Sequence, residues 1–367
     1  MVATASATGR VTGIAVYPGR PASVHLAELP MPIPGPGEVL VRVRRVGVCG
    51  TDKEIIDAKF GTPPPGSDEL VLGHEVLGVV EDAGDAVAGF NPGDLVVSTV
   101  RRPDGCPACR AGQPDMCLWR GYTERGIIGA HGFMIERFVE EPAHLVKIPV
   151  ALEPVAVMLE PLSVVEKAWR QARQIQRRIA GWQPRTALIL GAGPIGLLGT
   201  LLLRAEGMEV VTVARTAAPN PAAVIVTASG GRYVSTRETP LPELAAELPN
   251  IDLIFECTGV SEPAFQATSL LGGNGVLVLL SLTGGHERLV IPAAEINREF
   301  VLGNKVMVGS VNSAREDFVA GVGHFDQFEE LWPRLTQRLI THRLRGFAEF
   351  ARIREASSGG IKAVIEL

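Results

Sequence analysis

A glycine-rich turn in the second half of the chain constrains the fold more than any other stretch of the sequence. The segment TALILGAGPIGLLGTLLLRAEG reads as a buried strand, a tight turn and a helix, and MEVVTVART supplies the next strand. Gly191 permits the turn, Gly193 lets a pyrophosphate approach the backbone, and Gly196 allows the helix to pack closely on the strand. Glycines in this pattern also occur in ordinary turns, but here both strands and the helix lie where a nucleotide site needs them. We therefore predict a dinucleotide site that also includes Pro194 and Ile195.

Two patterns of hydrophobicity divide the chain. The first 150 residues contain short β-type runs separated by proline-rich and glycine-rich turns, which predicts an all-β module. From about Pro161 the pattern becomes helical, and then short buried runs such as IDLIFECTGV and GVLVLLSL alternate with helices. This alternation is typical of a parallel sheet covered on both faces. Because 367 residues exceed the usual size of one core, we predict an α/β fold with a doubly wound parallel sheet and a second, β-rich domain.

Composition and charge exclude several classes of function. Hydrophobic residues make up 46% and charged residues 20%, which indicates a globular chain and not a disordered one. The net charge of −5 provides no overall basic field, so neither a nucleic acid nor an anionic membrane is an expected partner. The longest apolar stretch, residues 187–203, is interrupted by glycines and a proline, and the first residues lack the order of a signal peptide. A cytoplasmic location is expected by default.

The end of the second predicted strand bears on the choice between NAD and NADP. An acidic residue there would bind the ribose hydroxyls and repel a 2′-phosphate. The sequence VTVARTAAPN contains no Asp or Glu and places Ala214, Arg215 and Thr216 at this point. We therefore predict that these residues bind NADP(H), while use of NAD as well stays open.

The stretch VLGHEVLGVV, residues 71–80, reads as a buried strand that contains two adjacent ionisable residues, His74 and Glu75. Isolated ionisable groups are costly to bury unless they are paired or bind a metal. Together with Cys49 they make a thiolate, imidazole and carboxylate set that suits zinc with one position open for chemistry. A buried structural cysteine and a His–Glu pair that satisfy each other would explain the same residues, so these residues alone leave both interpretations open.

Several longer segments carry a resemblance to a known family. CGTD, LGHEVLGVVEDAG with GDLVV after it, and GAGPIGLL resemble the zinc-dependent medium-chain dehydrogenase/reductase superfamily across almost the whole chain. RRPDGCPACRAGQPDMC, RGYTERGIIGAHGFMIERF, LEPLSVVEKA, LGNKVMVGSVNS and IKAVIEL more closely resemble the archaeal-type glucose dehydrogenases. The resemblance implies a GroES-like catalytic domain, residues 1–170 and 311–367, joined to a Rossmann domain, residues 171–310. It also implies a homodimer or homotetramer.

The resemblance implies roles for individual residues at the metal. Cys49 and His74 would be the constant ligands of a catalytic zinc. Glu75 would be a ligand that exchanges with water or substrate, and Glu160 would supply a carboxylate to zinc and sugar. Thr51 would begin a hydroxyl relay or contact the substrate, although a turn threonine that satisfies backbone groups would explain it as well.

The implied reaction is the oxidation of D-glucose, or a close aldose, at C1 to the lactone, with hydride transfer to NADP⁺. By the same resemblance, Glu124 and Asn312 would bind sugar hydroxyls, and Asn312 and Lys362 would contact the cofactor, the lysine through a phosphate. A polyol, threonine or simple alcohol dehydrogenase of the same superfamily would not need Glu124 and Asn312. A zinc-free NADP-binding protein without catalysis is the remoter alternative, and the intact Cys49, His74, Glu75 and Glu160 count against it.

A second group of cysteines suggests a second metal. The chain has five cysteines, an odd number that argues against a disulfide framework, and Cys106, Cys109 and Cys117 lie within twelve residues of one another. Relatives often carry a lobe here in which four cysteines bind a structural zinc. The first of the four positions falls on Pro103, and the adjacent Asp104 could replace it because carboxylates also bind zinc. A lobe with free thiols and no metal stays an open alternative.

Overall fold

A computed structural model describes residues 9–284, 286, 288–356 and 360–367. Strands predominate at both ends of the chain and alternate with helices in the middle. The strands are β1 (Arg10–Val16), β2 (His25–Pro30), β3 (Val39–Val48), β4 (Leu70–Val71), β5 (Glu75–Ala83), β6 (Leu95–Ser98), β7 (Arg101–Arg102), β8 (Thr123–Arg125), β9 (Gly129–Ala130), β10 (Arg137–Glu140), β11 (Leu145–Ile148), β12 (Thr186–Leu190), β13 (Glu209–Ala214), β14 (Arg232–Ser235), β15 (Leu253–Glu256), β16 (Val276–Leu279), β17 (Val306–Gly309), β18 (Ile340–Arg345) and β19 (Lys362–Glu366).

The helices are concentrated between the two β-rich ends. They are α1 (Gly50–Ile56), α2 (Pro107–Arg110), α3 (Leu159–Gln176), α4 (Pro194–Ala205), α5 (Pro221–Ala228), α6 (Leu241–Glu247), α7 (Ser261–Leu270), α8 (Ala293–Leu302), α9 (Arg315–Leu331) and α10 (Ile353–Ala356). Short 3₁₀ turns cover Pro114–Met116, Pro142–His144, Val150–Leu152, Ala156–Met158, Thr336–Leu339 and Phe347–Arg352. Among the described residues, no helix is both long enough and apolar enough to cross a lipid bilayer.

The chain divides into two compact units, and one of them, residues 161–312 and 323–339, is built on a six-stranded sheet. The strand order is β14-β13-β12-β15-β16-β17, and every pair is parallel. All five residues of β12 are buried, which explains why the strand reads as a continuous apolar run. The order reverses beside β12, where a crevice forms at the carboxyl ends of the strands. The predicted doubly wound parallel sheet is confirmed.

The other unit runs to Glu160 and includes residues 313–322 and Ile340–Leu367. Its largest sheet has the order β11-β6-β5-β3-β19-β18, and β10 also pairs with β3. Both β5 and β19 run antiparallel to β3. The end of β3 therefore lies beside the beginnings of β5 and β19, and side chains from three distant parts of the chain meet there.

The division between the units differs from the predicted boundaries of 1–170, 171–310 and 311–367. Residues 161–170, 311–312 and 323–339 all belong to the unit with the parallel sheet. Two contacts of α3 give the physical reason. The Lys167 ammonium donates a hydrogen bond to the Val311 carbonyl at 2.7 Å, and the Glu166 carboxylate lies 2.6 Å from the His324 ring.

The segment VLGHEVLGVV is two strands, so the prediction of one continuous strand was wrong. β4 ends at Val71 and pairs with β1, whereas β5 begins at Glu75 and pairs with β3. Gly73 lies between them with a φ of 88°, a conformation that side chains rarely adopt. A Cβ atom at Gly73 would lie 2.6 Å from the Met134 side chain. This glycine break carries the chain from one sheet to the other, and His74 directly follows it.

A histidine on α9 joins three helices of the parallel-sheet unit. The His324 Nδ1 atom lies 2.6 Å from the Glu166 carboxylate on α3, and its Nε2 atom lies 3.3 Å from the Glu206 carboxylate after α4. Burial by itself lowers the pKa of His324, but the hydrogen bonds to the two carboxylates outweigh it and raise the pKa to about 9. The imidazole is therefore protonated at neutral pH and bridges two carboxylates.

We expect His324→Gln to lower the free energy of unfolding by about 2 kcal/mol near neutral pH, because charge-assisted hydrogen bonds are lost. A folded-state pKa raised from 6.5 to about 9 means that this stabilisation is complete below about pH 6.5 and is lost as the pH rises through about 9. Thermal unfolding of both proteins between about pH 6 and about pH 10 measures the difference. His342→Gln, which removes a partly exposed histidine, is the control, and a constant difference at all pH values would contradict the charged bridge.

Candidate active site

Three neighbouring strands of the seven-stranded sheet, β5, β3 and β19, bring ionisable side chains together at one end of the strands. Cys49 directly follows β3, while Glu75 begins β5 and Lys362 begins β19. In the strand register, Gly47 of β3 lies opposite Glu75. Because the neighbours of β3 run antiparallel to it, the residue after its end becomes adjacent to their first residues.

Cys49, His74 and Glu75 form a group that has the composition of a metal site. Each offers one ligand atom, and these atoms all lie within 4.8 Å of one another. His74 and Glu75 are buried, with 4% and 1% of their surface exposed. Zinc in catalytic sites takes three protein ligands of these types and leaves a fourth position for water or substrate. The donor set therefore fits a catalytic zinc.

Glycine at position 47 makes room for the carboxylate of this group. A Cβ atom on Gly47 would lie 1.9 Å from the Glu75 Oε2 atom. No side chain fits between the two strands at this point without displacing the carboxylate. Gly47 is therefore required for the position of Glu75.

Asp52 orders the backbone around the group, and the sequence analysis missed it. One carboxylate oxygen accepts the N–H of Cys49 at 2.8 Å, and the other accepts the N–H of Gly73 at 3.2 Å. The second oxygen also lies 3.7 Å from the His74 Nδ1 atom, which is too far for a hydrogen bond but close enough for its charge to act on the imidazole. The sequence does contain a signal, because Asp52 lies three residues after Cys49 at the start of α1, which is the spacing of a capping box.

Burial shifts the pKa values of the neighbouring acids and of the histidine. Burial raises the pKa of Asp52, and it raises the pKa of Glu160 to about 7. For His74, burial by itself lowers the pKa, but the Asp52 carboxylate and the Cys49 thiolate outweigh it and raise the pKa well above its usual value. Buried carboxyl groups thus outnumber the buried cationic side chains around the group. A metal ion would relieve this excess of negative charge.

Glu160 lies at the start of α3 and is also buried. Its charge acts on His74 and Glu75, which places it near the group. It is not one of the three residues whose ligand atoms all lie within 4.8 Å of one another. Ligation of zinc by Glu160 therefore stays a prediction.

The position of Lys362 differs from the prediction that it contacts a cofactor phosphate. The side chain is buried, and the ammonium lies 2.5 Å from the Glu75 Oε1 atom. Pairing of β19 with β3 brings the lysine to this position, which the sequence near Lys362 does not reveal. The ammonium is therefore a partner of the Glu75 carboxylate, and this pairing argues against the phosphate contact.

The other two predicted side chains of this unit have partners that the sequence did not indicate. The Thr51 hydroxyl lies 3.8 Å from the Cys49 sulfur, close enough to the group to meet a substrate. One oxygen of Glu124 accepts hydrogen bonds from the Arg101 guanidinium at 3.0 and 2.9 Å. Arg101 also stacks on the Tyr122 ring at 3.8 Å. The roles of Thr51 and Glu124 toward a sugar stay predictions.

The cysteine lobe brings Asp104 together with Cys106, Cys109 and Cys117. Their four ligand atoms lie within 4.8 Å of one another. A tetrahedral zinc with bonds of about 2.3 Å to sulfur separates its ligands by about 3.8 Å, and the Cys106 and Cys117 sulfurs are 4.0 Å apart. The backbone N–H groups of Cys109 and Leu118 point at the Cys106 sulfur, at 3.5 and 3.3 Å. These donors would stabilise a thiolate, so the lobe also fits a structural zinc.

Hydrogen bonds hold the Asp104 carboxylate in the lobe. One oxygen lies 2.9 Å from the Cys117 sulfur and accepts the N–H of Gly121 at 2.9 Å, while the other accepts the N–H of Cys106 at 3.0 Å. The Cys117 and Cys106 contacts lower the pKa of Asp104, whereas burial raises the pKa of Cys109 to about 12. A metal ion would compete with the proton on Cys109. Asp104 thus occupies the place of a fourth ligand.

The glycine turn after β12 has the geometry that was predicted for it. Gly191 has a φ of 105°, and a Cβ atom there would lie 2.9 Å from the Cys257 carbonyl. A Cβ atom at Gly196 would lie 2.0 Å from the Gly191 carbonyl. Both positions therefore exclude any side chain. Gly191 does so because of the turn conformation, and Gly196 because α4 packs closely against that turn.

The start of α4 is open toward solvent and suits a phosphate. Gly193 is the N-cap residue, and a Cβ atom there would meet no other group within 4 Å. Pro194 and Ile195 begin the first turn; Pro194 has no backbone N–H, and the N–H of Ile195 has no partner within the helix. The partial positive charge of this helix end attracts phosphate. These three residues could therefore hold a pyrophosphate.

The residues after β13 present a cation at the same edge of the sheet. β13 ends at Ala214, and the exposed residues Arg215 and Thr216 follow. The Arg215 carbonyl accepts the Ser235 hydroxyl at 3.1 Å, and the Thr216 carbonyl accepts the Tyr233 hydroxyl at 2.7 Å. These bonds to β14 fix the backbone, while the guanidinium is left in solvent.

Two more residues follow strands of the parallel sheet. Arg237, which the sequence analysis did not single out, comes after β14, the neighbour of β13. The sequence signal for Arg237 is its position: it is a basic residue shortly after β14, and β14 ends opposite Ala214, the residue before Arg215. Asn312 follows β17 and has a φ of 59°. Because carboxyl ends of parallel strands lie at one edge, both residues belong to the side of the sheet where nucleotides bind.

Comparison with known proteins identifies the families of both parts of the chain. Residues 35–150 match the alcohol dehydrogenase GroES-like domain, and residues 153–367 match the glucose dehydrogenase C-terminus. The first match confirms the predicted GroES-like domain.

Similar proteins cover nearly the whole chain. The glucose 1-dehydrogenase of Methanocella arvoryzae is 43% identical over 333 residues, which cover 90% of this chain and 92% of the relative. Glucose 1-dehydrogenase 1 of Caldivirga maquilingensis is 40% identical over 359 residues, or 96% and 98% of the two chains. The solved structure of Haloferax mediterranei glucose dehydrogenase in complex with NADP, zinc and gluconolactone has a TM-score of 0.88 at 37% identity and covers 97% of this chain and 99% of its own. The chain therefore belongs to the glucose dehydrogenase family of the zinc-dependent medium-chain dehydrogenases.

Proposed function

We propose that this protein is an NADP-preferring glucose 1-dehydrogenase, which oxidises D-glucose or a close aldose at C1 to the aldonolactone. One observation carries the proposal: a cysteine sulfur, an imidazole nitrogen and a carboxylate oxygen lie within 4.8 Å of one another in a chain that also has a glycine turn suited to a dinucleotide. Similar proteins bear the name glucose 1-dehydrogenase, and the Haloferax mediterranei structure contains NADP, zinc and gluconolactone. These matches favour an aldose over a polyol, threonine or a simple alcohol.

Cys49, His74 and Glu75 would hold the catalytic zinc, with Glu160 as a further carboxylate for zinc or sugar. Bound zinc supplies a Lewis acid that makes the C1 hydroxyl of the sugar easier to deprotonate. Bound NADP⁺ supplies the acceptor for the hydride from C1. Asp52 holds the backbone of Cys49 and Gly73 beside the group, and burial of these residues keeps bulk water away from the reacting groups.

The chain's own residues would orient the sugar and carry its proton. The Thr51 hydroxyl, 3.8 Å from the Cys49 sulfur, would receive the proton of the C1 hydroxyl and pass it toward solvent. Glu124 and Asn312 would bind other sugar hydroxyls. The Arg101 guanidinium holds one oxygen of Glu124, which fixes the carboxylate for that task.

Preference for NADP is supported by charge at the end of β13. No acidic residue follows this strand before α5, and Arg215 and Arg237 supply two guanidinium groups close to neighbouring strand ends. These guanidinium groups would attract a 2′-phosphate, and no carboxylate after β13 would repel it. Together with Ala214 and Thr216, Arg215 would bind the phosphorylated ribose, while Gly191, Gly193 and Gly196 would accommodate the pyrophosphate.

A homodimer or homotetramer is the expected assembly. β17 is the last strand in the described order of the parallel sheet, and edge strands pair readily with another chain. Met307 on this strand and Val301 and Leu302 on α8 are apolar and exposed, at 44%, 67% and 74%. Two β17 strands could pair across a twofold axis and cover these side chains, and the mass of the protein in solution tests this arrangement. A cytoplasmic location stays a prediction from the sequence.

We expect Cys49→Ala and His74→Ala to lower glucose oxidation by at least about a hundredfold, because electrostatic stabilisation of the reacting oxygen is lost. NADP⁺ binding should change little. Initial rates with D-glucose, other aldoses and both cofactors, together with fluorescence titration of NADPH, measure the two effects. His25→Ala removes a histidine of β2 and is the matched control. Normal turnover in either active-site variant would refute the proposed metal site.

Arg215→Ala should weaken NADP⁺ binding by about 10- to 100-fold and leave NAD⁺ binding nearly unchanged, since only NADP⁺ has the phosphate that this guanidinium would bind. Titration of both cofactors measures the difference. Arg232→Ala, which removes an exposed arginine paired with Glu247, is the control. An equal loss for both cofactors would remove Arg215 from the choice of cofactor.

The lobe should hold a second, structural zinc, and Asp104→Asn should reduce the zinc content from two ions per chain toward one, because a charged ligand becomes a neutral amide. The midpoint of thermal unfolding should fall as well, since structural zinc stabilises the fold. Elemental analysis and calorimetry measure both quantities. Asp85→Asn, on an exposed loop, is the control. Wild-type protein with a single zinc that Cys49→Ala removes would show that the lobe holds no metal.

A further inference from the structure

A buried ammonium lies within the group of metal-binding side chains. Lys362 has 4% of its surface exposed, and its Nζ atom is 2.5 Å from the Glu75 Oε1 atom. The lysine therefore brings a positive charge to the place where a zinc ion would bind.

The Glu75 carboxylate has few other partners. Its Oε2 atom is buried over Gly47 and makes no hydrogen bond to any described residue. Lys362 is the hydrogen-bonding partner of the other oxygen. A buried carboxylate oxygen without a partner is costly, so Glu75 gains more from a second cation than a fully bonded carboxylate would.

Zinc and the ammonium would need the same side chain. The ligand atom of Glu75 lies within 4.8 Å of those of Cys49 and His74, so the carboxylate faces the metal position while it is paired with Lys362. β19 is paired with β3 directly after Lys362, which restricts how far the ammonium can withdraw. Two cations held so close together repel each other in a site of low polarity. We therefore expect repulsion between the two cations to weaken the binding of each.

We propose that Lys362 competes with the catalytic metal for the Glu75 carboxylate, and so weakens metal binding and keeps Glu75 an exchangeable ligand. Lys362 is then a positioning residue and not a ligand. This inference rests on the zinc site of the proposed function. It differs from a purely orienting role, in which the lysine would fix Glu75 for the metal and thereby strengthen metal binding.

The two roles predict opposite effects of Lys362→Met, which keeps most of the side-chain volume but removes the charge. Competition predicts that zinc affinity rises, by at least about tenfold, whereas loss of an orienting partner lowers it by about 10- to 100-fold. Titration of the metal-free protein with zinc against a chelating dye measures the affinity. A Cys49→Ser variant identifies which class of bound zinc belongs to this site.

Two further variants separate charge from packing. Lys362→Arg keeps the charge and should bind zinc about as the wild-type protein does. Lys59→Met removes the same charge from an exposed lysine of the same unit and should change nothing. If Lys362→Met does not fold, as judged by NADPH binding and thermal unfolding, Lys362→Gln answers the same question.

Cobalt provides a readout that a merely structural lysine would not alter. The visible absorption of bound Co²⁺ depends on the number and type of its ligands. In Lys362→Met the released Glu75 should bind Co²⁺ permanently and change the spectrum, and adding Glu75→Gln to this variant should abolish that change.

The outcomes separate this inference from the function on which it rests. Tighter zinc binding and an altered cobalt spectrum in Lys362→Met support competition. Weaker or unchanged zinc binding, or a cobalt spectrum identical to that of the wild type, would overturn the inference alone. Wild-type protein without any zinc that Cys49→Ser removes would overturn the proposed function and the inference with it.

Discussion

Buried charge at the end of β3 is the constraint on which the rest of the structure depends. Cys49, His74 and Glu75 gather where little water reaches, and charged groups in such places need partners of opposite charge. Asp52 and Lys362 are such partners among the protein's own side chains. A metal ion would supply further positive charge. Burying these ionisable groups costs free energy of folding. The same burial makes the cluster suited to bind a metal and polarise a substrate.

Glycines, which have no side chain, are as important to the site as the ionisable residues. Gly47 leaves the space that the Glu75 carboxylate fills, and Gly73 allows the chain to pass from one sheet to another just before His74. In the parallel-sheet unit, Gly191 and Gly196 allow strand, turn and helix to meet closely at the nucleotide-binding edge. In each case a Cβ atom would collide with a neighbouring side chain or backbone group. Backbone geometry thus decides where the chemistry can take place.

The partners of ionisable groups were the least predictable part of the structure. Asp104 was predicted as a replacement for a missing cysteine because it is adjacent to Pro103, which occupies the position of the first cysteine in relatives. The pairing of Glu124 with Arg101 and that of Glu75 with Lys362 had no comparable signal. Arg101 meets Glu124 through the pairing of β7 with β8, and Lys362 meets Glu75 because β5 and β19 both run antiparallel to β3. Such contacts depend on strand register, and hydrophobic patterns do not specify which strands pair.

The sequence by itself determined the features that depend on neighbouring residues. The strand, glycine turn and helix around Gly191 and the change from a β-rich to an alternating pattern could both be read from local spacing and side-chain chemistry. Only the tertiary structure decided that VLGHEV divides between two sheets and that a lysine near the end of the chain meets a carboxylate from its first quarter. The physical reason is that local preferences act over a few residues. The contacts of a buried charge are set by the sheet that encloses it, which forms from segments far apart in the chain.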